Sequence, residues 1–211
     1  MTVLTRAHSV DTIWKMHAIQ MASDIPTIEL DSPRAAVVAT RLAQLMGVFD
    51  RPEKAAIDRG LVGSAMRAAA RVGVAEAIAA GAGDQPSDQK ILGFLDALRR
   101  SPRPMSEIVS LAAIFGYSGL ERLVAASEPS LRRYAAGDRA TPDAVAQRVH
   151  LLAQLVAVLR GSFNEFGIRR WFERPHPALG SRAPADVLGR DFDPADARVQ
   201  AVMNAAAQAL W

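Results

Sequence analysis

Apolar positions recur every three or four residues along most of this 211-residue chain, and strict apolar–polar alternation is nearly absent. That period predicts an all-α, multi-helical fold. Asp31-Ser32-Pro33 reads as a helix start, with Ser32 as cap and Pro33 in the first turn. The helix runs to about Val48 and buries Val37, Val38, Leu42, Leu45 and Met46, until Asp50-Arg51-Pro52 breaks it. A second helical stretch covers roughly Glu53 to Ala80, with Gly60 or Gly63 as candidate interruptions. Gly81 to Ser87 reads as a loop, and Asp88 to Arg100 as a short amphipathic helix with Ile91, Leu92, Leu95 and Leu98 on one side. Ser101-Pro102-Arg103-Pro104 follows as a stiff, extended hinge. The expected organisation is an arm or loose end at 1–30, an N-terminal helical domain at 31–100, a helix-turn-helix domain at 105–163 and a partner-binding domain at 164–211.

The helix-turn-helix expectation rests on spacing. Gly119 to Ala126 reads as a short helix and tight turn, Ser127 as a cap, and Glu128 to Ala136 as a second helix stopped by Gly137. Ser127 is placed to accept a hydrogen bond from a free amide, and Pro129 is tolerated in the first turn. Leu120, Leu123 and Val124 are expected to pack on Leu131 and Tyr134. This leaves Ser127, Glu128, Ser130, Arg132 and Arg133 outside, where a recognition helix meets base edges and phosphates in double-stranded DNA. Arg139 adds a phosphate contact just beyond it. A rival register enters the turn through Leu111 to Ser118 and makes Gly119 to Ala126 the reading helix, with Arg122 as its base. Two packed helices with a solvated arginine pair share the same spacing. Ala125 stands where many such turns prefer Gly, at a cost of up to about 1 kcal/mol if a positive φ is required. Thr141-Pro142-Asp143 then caps a long helix to about Arg160, burying Val145, Val149, Leu152, Leu155, Val156 and Leu159.

Gly167 to Pro184 is the most distinctive stretch: a short helix carrying Trp171-Phe172, then a proline-framed turn folded back at Leu179-Gly180. Ser181 or Pro184 begins the next helix, and Asp193-Pro194 starts a last one with Val199, Val202, Met203, Ala206 and Leu210 at core spacing. Trp171 suits either the core of a helical cap or a partner contact.

Composition changes this picture little. The formal charge of +3 is no nucleic-acid coat, and the only lysines are Lys15, Lys54 and Lys90. Arginine suits phosphates and guanine edges, although a GC-rich genome produces the same bias. The chain has no cysteine, which excludes disulfides and thiolate sites. Met1 to Gln20 lacks the basic head and apolar block of a secretory leader, and no apolar run approaches the roughly 20 residues of a membrane span, so a cytoplasmic location is expected. His8, His17, His150 and His176 are scattered, so no metal site is expected. His150 reads as a surface or internally satisfied histidine, and His176 as a turn residue. Gly81-Ala-Gly-Asp lacks the context of a phosphate loop, and Ser162-Phe-Asn-Glu is no nucleophile elbow. Asp193 reads as a helix cap, with Asp191 and Asp196 solvated. Neither an enzyme nor a bound cofactor is expected.

The stretch containing Trp171, Pro175-His-Pro-Ala-Leu-Gly180 and Arg182-Ala-Pro-Ala-Asp-Val-Leu188 resembles the toxin-binding domain of the Xre/MbcA/ParS family of antitoxins. Ser127 to Gly137 followed by Thr141-Pro142 resembles the same family's DNA-binding half, so the likeness covers about residues 105–211. It implies a homodimer that represses its own operator and a C-terminal region that covers the active site of a RES-domain toxin. The NAD consumed in that reaction belongs to the toxin. The partner-binding residues it implies are Trp171, Phe172, Pro177, Leu179, Gly180, Arg182, Pro184 and the anchor Trp211. Residues 1–100 have no counterpart in the compact members of the family. A stand-alone helix-turn-helix regulator, and a protein-binding adaptor that has lost DNA affinity, are the alternatives.

Overall fold

The computed structural model describes residues 28–50, 56–81 and 83–210. Among these the fold is all-α, with ten α-helices, one 3-10 turn and no strand. In chain order the helices are α1 (Ser32–Leu45), α2 (Arg59–Ala70), α3 (Glu76–Ala79), α4 (Asp88–Arg99), α5 (Pro104–Val124) and α6 (Glu128–Ala136). They continue as α7 (Asp143–Leu159), α8 (Glu165–Glu173), α9 (Pro184–Leu188) and α10 (Ala197–Ala207), with the 3-10 turn at Pro177–Leu179. No single helix among the described residues is long and apolar enough to cross a membrane.

The axis of the molecule is α7. Every residue from Val149 to Leu159 is buried, because this stretch is apolar on all sides apart from His150 and Gln154. It is wrapped by α1, α5 and α10, while α4 packs on α1 and α6 packs on α5. The hydrophobic core extends from Ile28 to Leu210 and crosses the link at 101–103 without a break. The three segments expected from residue 31 onward therefore share one interior, and residues 1–27 of the expected arm lie outside the described residues.

Local chemistry corrects several expected boundaries. Asp31, not Ser32, caps α1 by accepting from Arg34 N at 3.0 Å, and the Ser32 hydroxyl donates to Asp88 Oδ1 at 2.9 Å. Helix α1 stops at Leu45, and Val37 is only half-buried. Glu53 lies outside the described residues, and α2 begins at Arg59, where Asp58 accepts from Leu61 N at 2.8 Å. Neither Gly60 nor Gly63 interrupts α2; Gly63 instead admits the Gly83 carbonyl, which would stand 3.0 Å from an added Cβ. The break comes at 71–75, where Gly73 and Ala75 take φ of +80° and +59°. Leu92 is exposed on α4. Thr141 does not cap α7, whose N-cap is Pro142 with no side-chain bond. Asp196 rather than Asp193 caps α10, accepting from Arg198 N at 2.8 Å, while Asp193 accepts from Ala195 N in the preceding turn.

Candidate functional site

Helix α5 is two helices joined at Gly116, whose φ of +70° and ψ of +160° lie outside the helical region. A residue there must tolerate a positive φ, and glycine does so without a Cβ clash. The kink frees carbonyls that would have bonded across it. One of them, Ile114 O, accepts from Arg169 Nη1 of α8 at 2.8 Å. The second half of α5 then leads through Ala125-Ala126-Ser127 into α6, and the chain bends by 116°. A short turn of that angle between two helices is the geometry of a helix-turn-helix. Leu120, Leu123 and Val124 are buried with Leu131 and Tyr134, as the spacing predicts. The rival register places its turn at Gly116, where the helix is also broken and two helices meet.

The turn is built on Ala125 in the left-handed region, φ +53° and ψ +37°. Ser127 occupies the N-cap of α6, but its hydroxyl makes no capping bond and donates to Ser130 Oγ at 3.0 Å. The expected cap role belongs instead to Glu121, whose Oε2 accepts from Glu128 N at 3.2 Å. Helix α6 ends at Gly137 with φ +79°.

The outer face of α6 carries Arg132 and Arg133, both exposed, with Arg139 exposed beyond its end. Arg132 is not idle. Its Nε and Nη2 donate to Glu128 Oε1 at 3.1 and 2.6 Å, and its guanidinium lies 4.2 Å from the centroid of the Tyr117 ring. Arg133 Nε donates to the Pro129 carbonyl at 3.5 Å. Arg139 lies 5.8 Å from the Tyr134 ring. From Glu121 to Asp143, Arg122, Arg132, Arg133 and Arg139 are matched by Glu121, Glu128, Asp138 and Asp143, so this element carries no net charge.

The residues expected to touch a partner divide into two groups. Trp171 is 7 % exposed and Phe172 2 %, and Leu179 and Pro184 are buried as well. Trp171 packs edge-on against Phe172 at 5.2 Å between centroids, and Phe172 does the same against Phe115 of α5. Phe172 thereby joins α8 to α5, and burial leaves these four side chains little surface to offer a partner. The Trp171 Nε1 group is buried with no acceptor among the described residues. Pro177, Gly180 and Arg182 are exposed at the tip of the turn, which His176 N closes by donating to Arg182 O at 3.0 Å. Trp211 lies outside the described residues.

Sequence spacing did not single out Tyr117, Glu121 or Arg169. Each acts across a turn or between helices, and only the acid at the end of one helix facing the start of the next left a local signal. Between α5, α8 and α9 lies a cleft of about 410 Å³, lined by Phe115, Leu123, Arg122, Arg169, Glu173 and Asp186. Among the described residues no three His, Asp or Glu side chains converge in a metal-binding group. No family model matches the sequence, and neither a curated protein nor a solved structure matches it.

Proposed function

We propose that this chain is a non-catalytic, antitoxin-like regulator of the cytoplasm. In this reading it binds double-stranded DNA as a homodimer through α6 and a protein partner through its C-terminal turn. The partner class is the one the resemblance implies, a RES-domain toxin whose active site the turn region covers. One observation carries the reading: a three-residue turn and a 116° bend present α6 with Arg132 and Arg133 facing solvent. Partner contact falls to the exposed Pro177, Gly180 and Arg182, on a surface that Trp171 and Phe172 shape from behind.

The test is binding to duplex DNA from the chain's own upstream region, followed by fluorescence anisotropy over a range of salt. Arg132→Ala with Arg133→Ala is expected to weaken binding at least about tenfold and to lower the salt slope by about one to two. An unchanged affinity and slope would sink the DNA-binding role.

A protein-binding adaptor is favoured by a different observation. The N-terminus of α6, where a phosphate would sit, already holds the Glu121 carboxylate, and Glu128 ties up Arg132. Glu128→Gln separates the two readings. It strengthens DNA binding if α6 meets phosphate, and it changes nothing if α6 meets only protein.

A further inference from the structure

One buried polar cluster belongs to neither surface. His150 of α7 is 1 % exposed and Glu107 of α5 is 0 % exposed, and His150 Nδ1 lies 2.6 Å from Glu107 Oε1. The other ring nitrogen, Nε2, lies 2.8 Å from the carbonyl oxygen of Arg99, the last residue of α4. A carbonyl only accepts, so Nε2 carries a proton. A second proton on Nδ1 makes the ring an imidazolium facing a carboxylate on one side and the negative end of α4 on the other. Burial opposes that charge, but the Glu107 carboxylate, its hydrogen bond and the Arg99 carbonyl outweigh it and hold the His150 pKa above its ordinary value.

The cluster joins three elements at one point. It sits where α4 gives way to α5 through Ser101, Pro102 and Arg103, so it fastens the end of α4 and the start of α5 to the axis α7. Glu107 is the charged group that α5 brings to His150. Helix α4 brings Arg99, whose guanidinium Nη2 donates to Ile28 O at 3.2 Å, and Asp96, which is exposed and paired with Arg100. The buried faces of α1 and α10, also packed on α7, carry no titratable side chain.

We propose that protonated His150 clamps the end of α4 and the start of α5 to α7, and that rising pH loosens the clamp on the α5 side, where Nδ1 gives up the proton it shares with Glu107 while Nε2 keeps its bond to Arg99 O. The direction follows from proton linkage. A group whose pKa is raised by folding contributes fully below its unfolded value, about 6.5 for histidine, and its contribution is lost as pH rises through the folded value.

Two measurements on the full chain test this. The His150 imidazole is followed by ¹⁵N NMR in a chain whose other histidines, His8, His17 and His176, are replaced by Gln. An imidazolium titrating above about 6.5 is expected. Amide exchange, corrected for its intrinsic pH dependence, is followed at the start of α5. The opening constant there is expected to rise by up to about tenfold per pH unit above about 6.5 and to level off past the folded pKa. In the double variant Glu107→Leu, His150→Leu that rise is expected to vanish. A neutral His150 ring at pH 6.5, or opening that is flat with pH in the unmodified chain, would overturn the clamp even if the double variant does not fold. So would the same rise in a folded double variant.

Discussion

Ala125 holds the turn before α6 in the left-handed region at φ +53°, a conformation in which a Cβ crowds the following carbonyl. Glycine relieves that crowding, although it also adds freedom to the unfolded chain. Ala125→Gly is therefore expected to raise stability by about 0.5–1 kcal/mol, and Ala125→Val to lower it by more than about 1 kcal/mol, both read from urea midpoints. The need for a positive φ at this position could be anticipated from turn chemistry. The partner of Arg132 could not, because the Tyr117 ring that it stacks on lies fifteen positions earlier and approaches only after the chain has bent by 116°.

At the scale of elements, α6 was legible as a helix from its apolar period, and α7 from an apolar run too long for a strand. Helix α6 ends within a residue of where Gly137 predicts. What stayed illegible was set by contacts distant in sequence. Gly60 and Gly63 look like breaks, yet the Gly83 carbonyl approaches α2 closely enough that a glycine serves packing there. Trp171 suits either a partner contact or a core, and the structure buries it beside Phe172, which packs on Phe115 of α5. Trp171→Ala is accordingly expected to cost about 3–5 kcal/mol of stability whether or not a partner is present, as removal of a buried aromatic does. Pro177→Ala and Arg182→Ala, at exposed positions, are expected to cost under about 0.5 kcal/mol in denaturant melts. Equal losses for buried and exposed positions would contradict that division of roles.

For the molecule as a whole, the link at 101–103 reads as a domain boundary by its prolines, but apolar packing crosses it from Ile28 to Leu210. Calorimetry and far-UV circular dichroism are expected to give one coincident transition, with equal calorimetric and van't Hoff enthalpies. Two separable transitions would mean that the helices of residues 32–99 fold apart from the rest. Charge is unevenly spread over this single body. The element from Glu121 to Asp143 is balanced, whereas Glu165 to Arg190 holds five arginines against three carboxylates. Attraction for an anionic surface is thus stronger at the C-terminal segment than around α6. The bond from Arg169 to the Ile114 carbonyl gives that imbalance a mechanical meaning. A molecule that grips the C-terminal turn and swings α8 outward strips the donor from that carbonyl, at about 1–3 kcal/mol if the carbonyl stays dry. Gly116 lies two residues beyond that carbonyl, so a displacement of α8 is expected to reach the joint within α5.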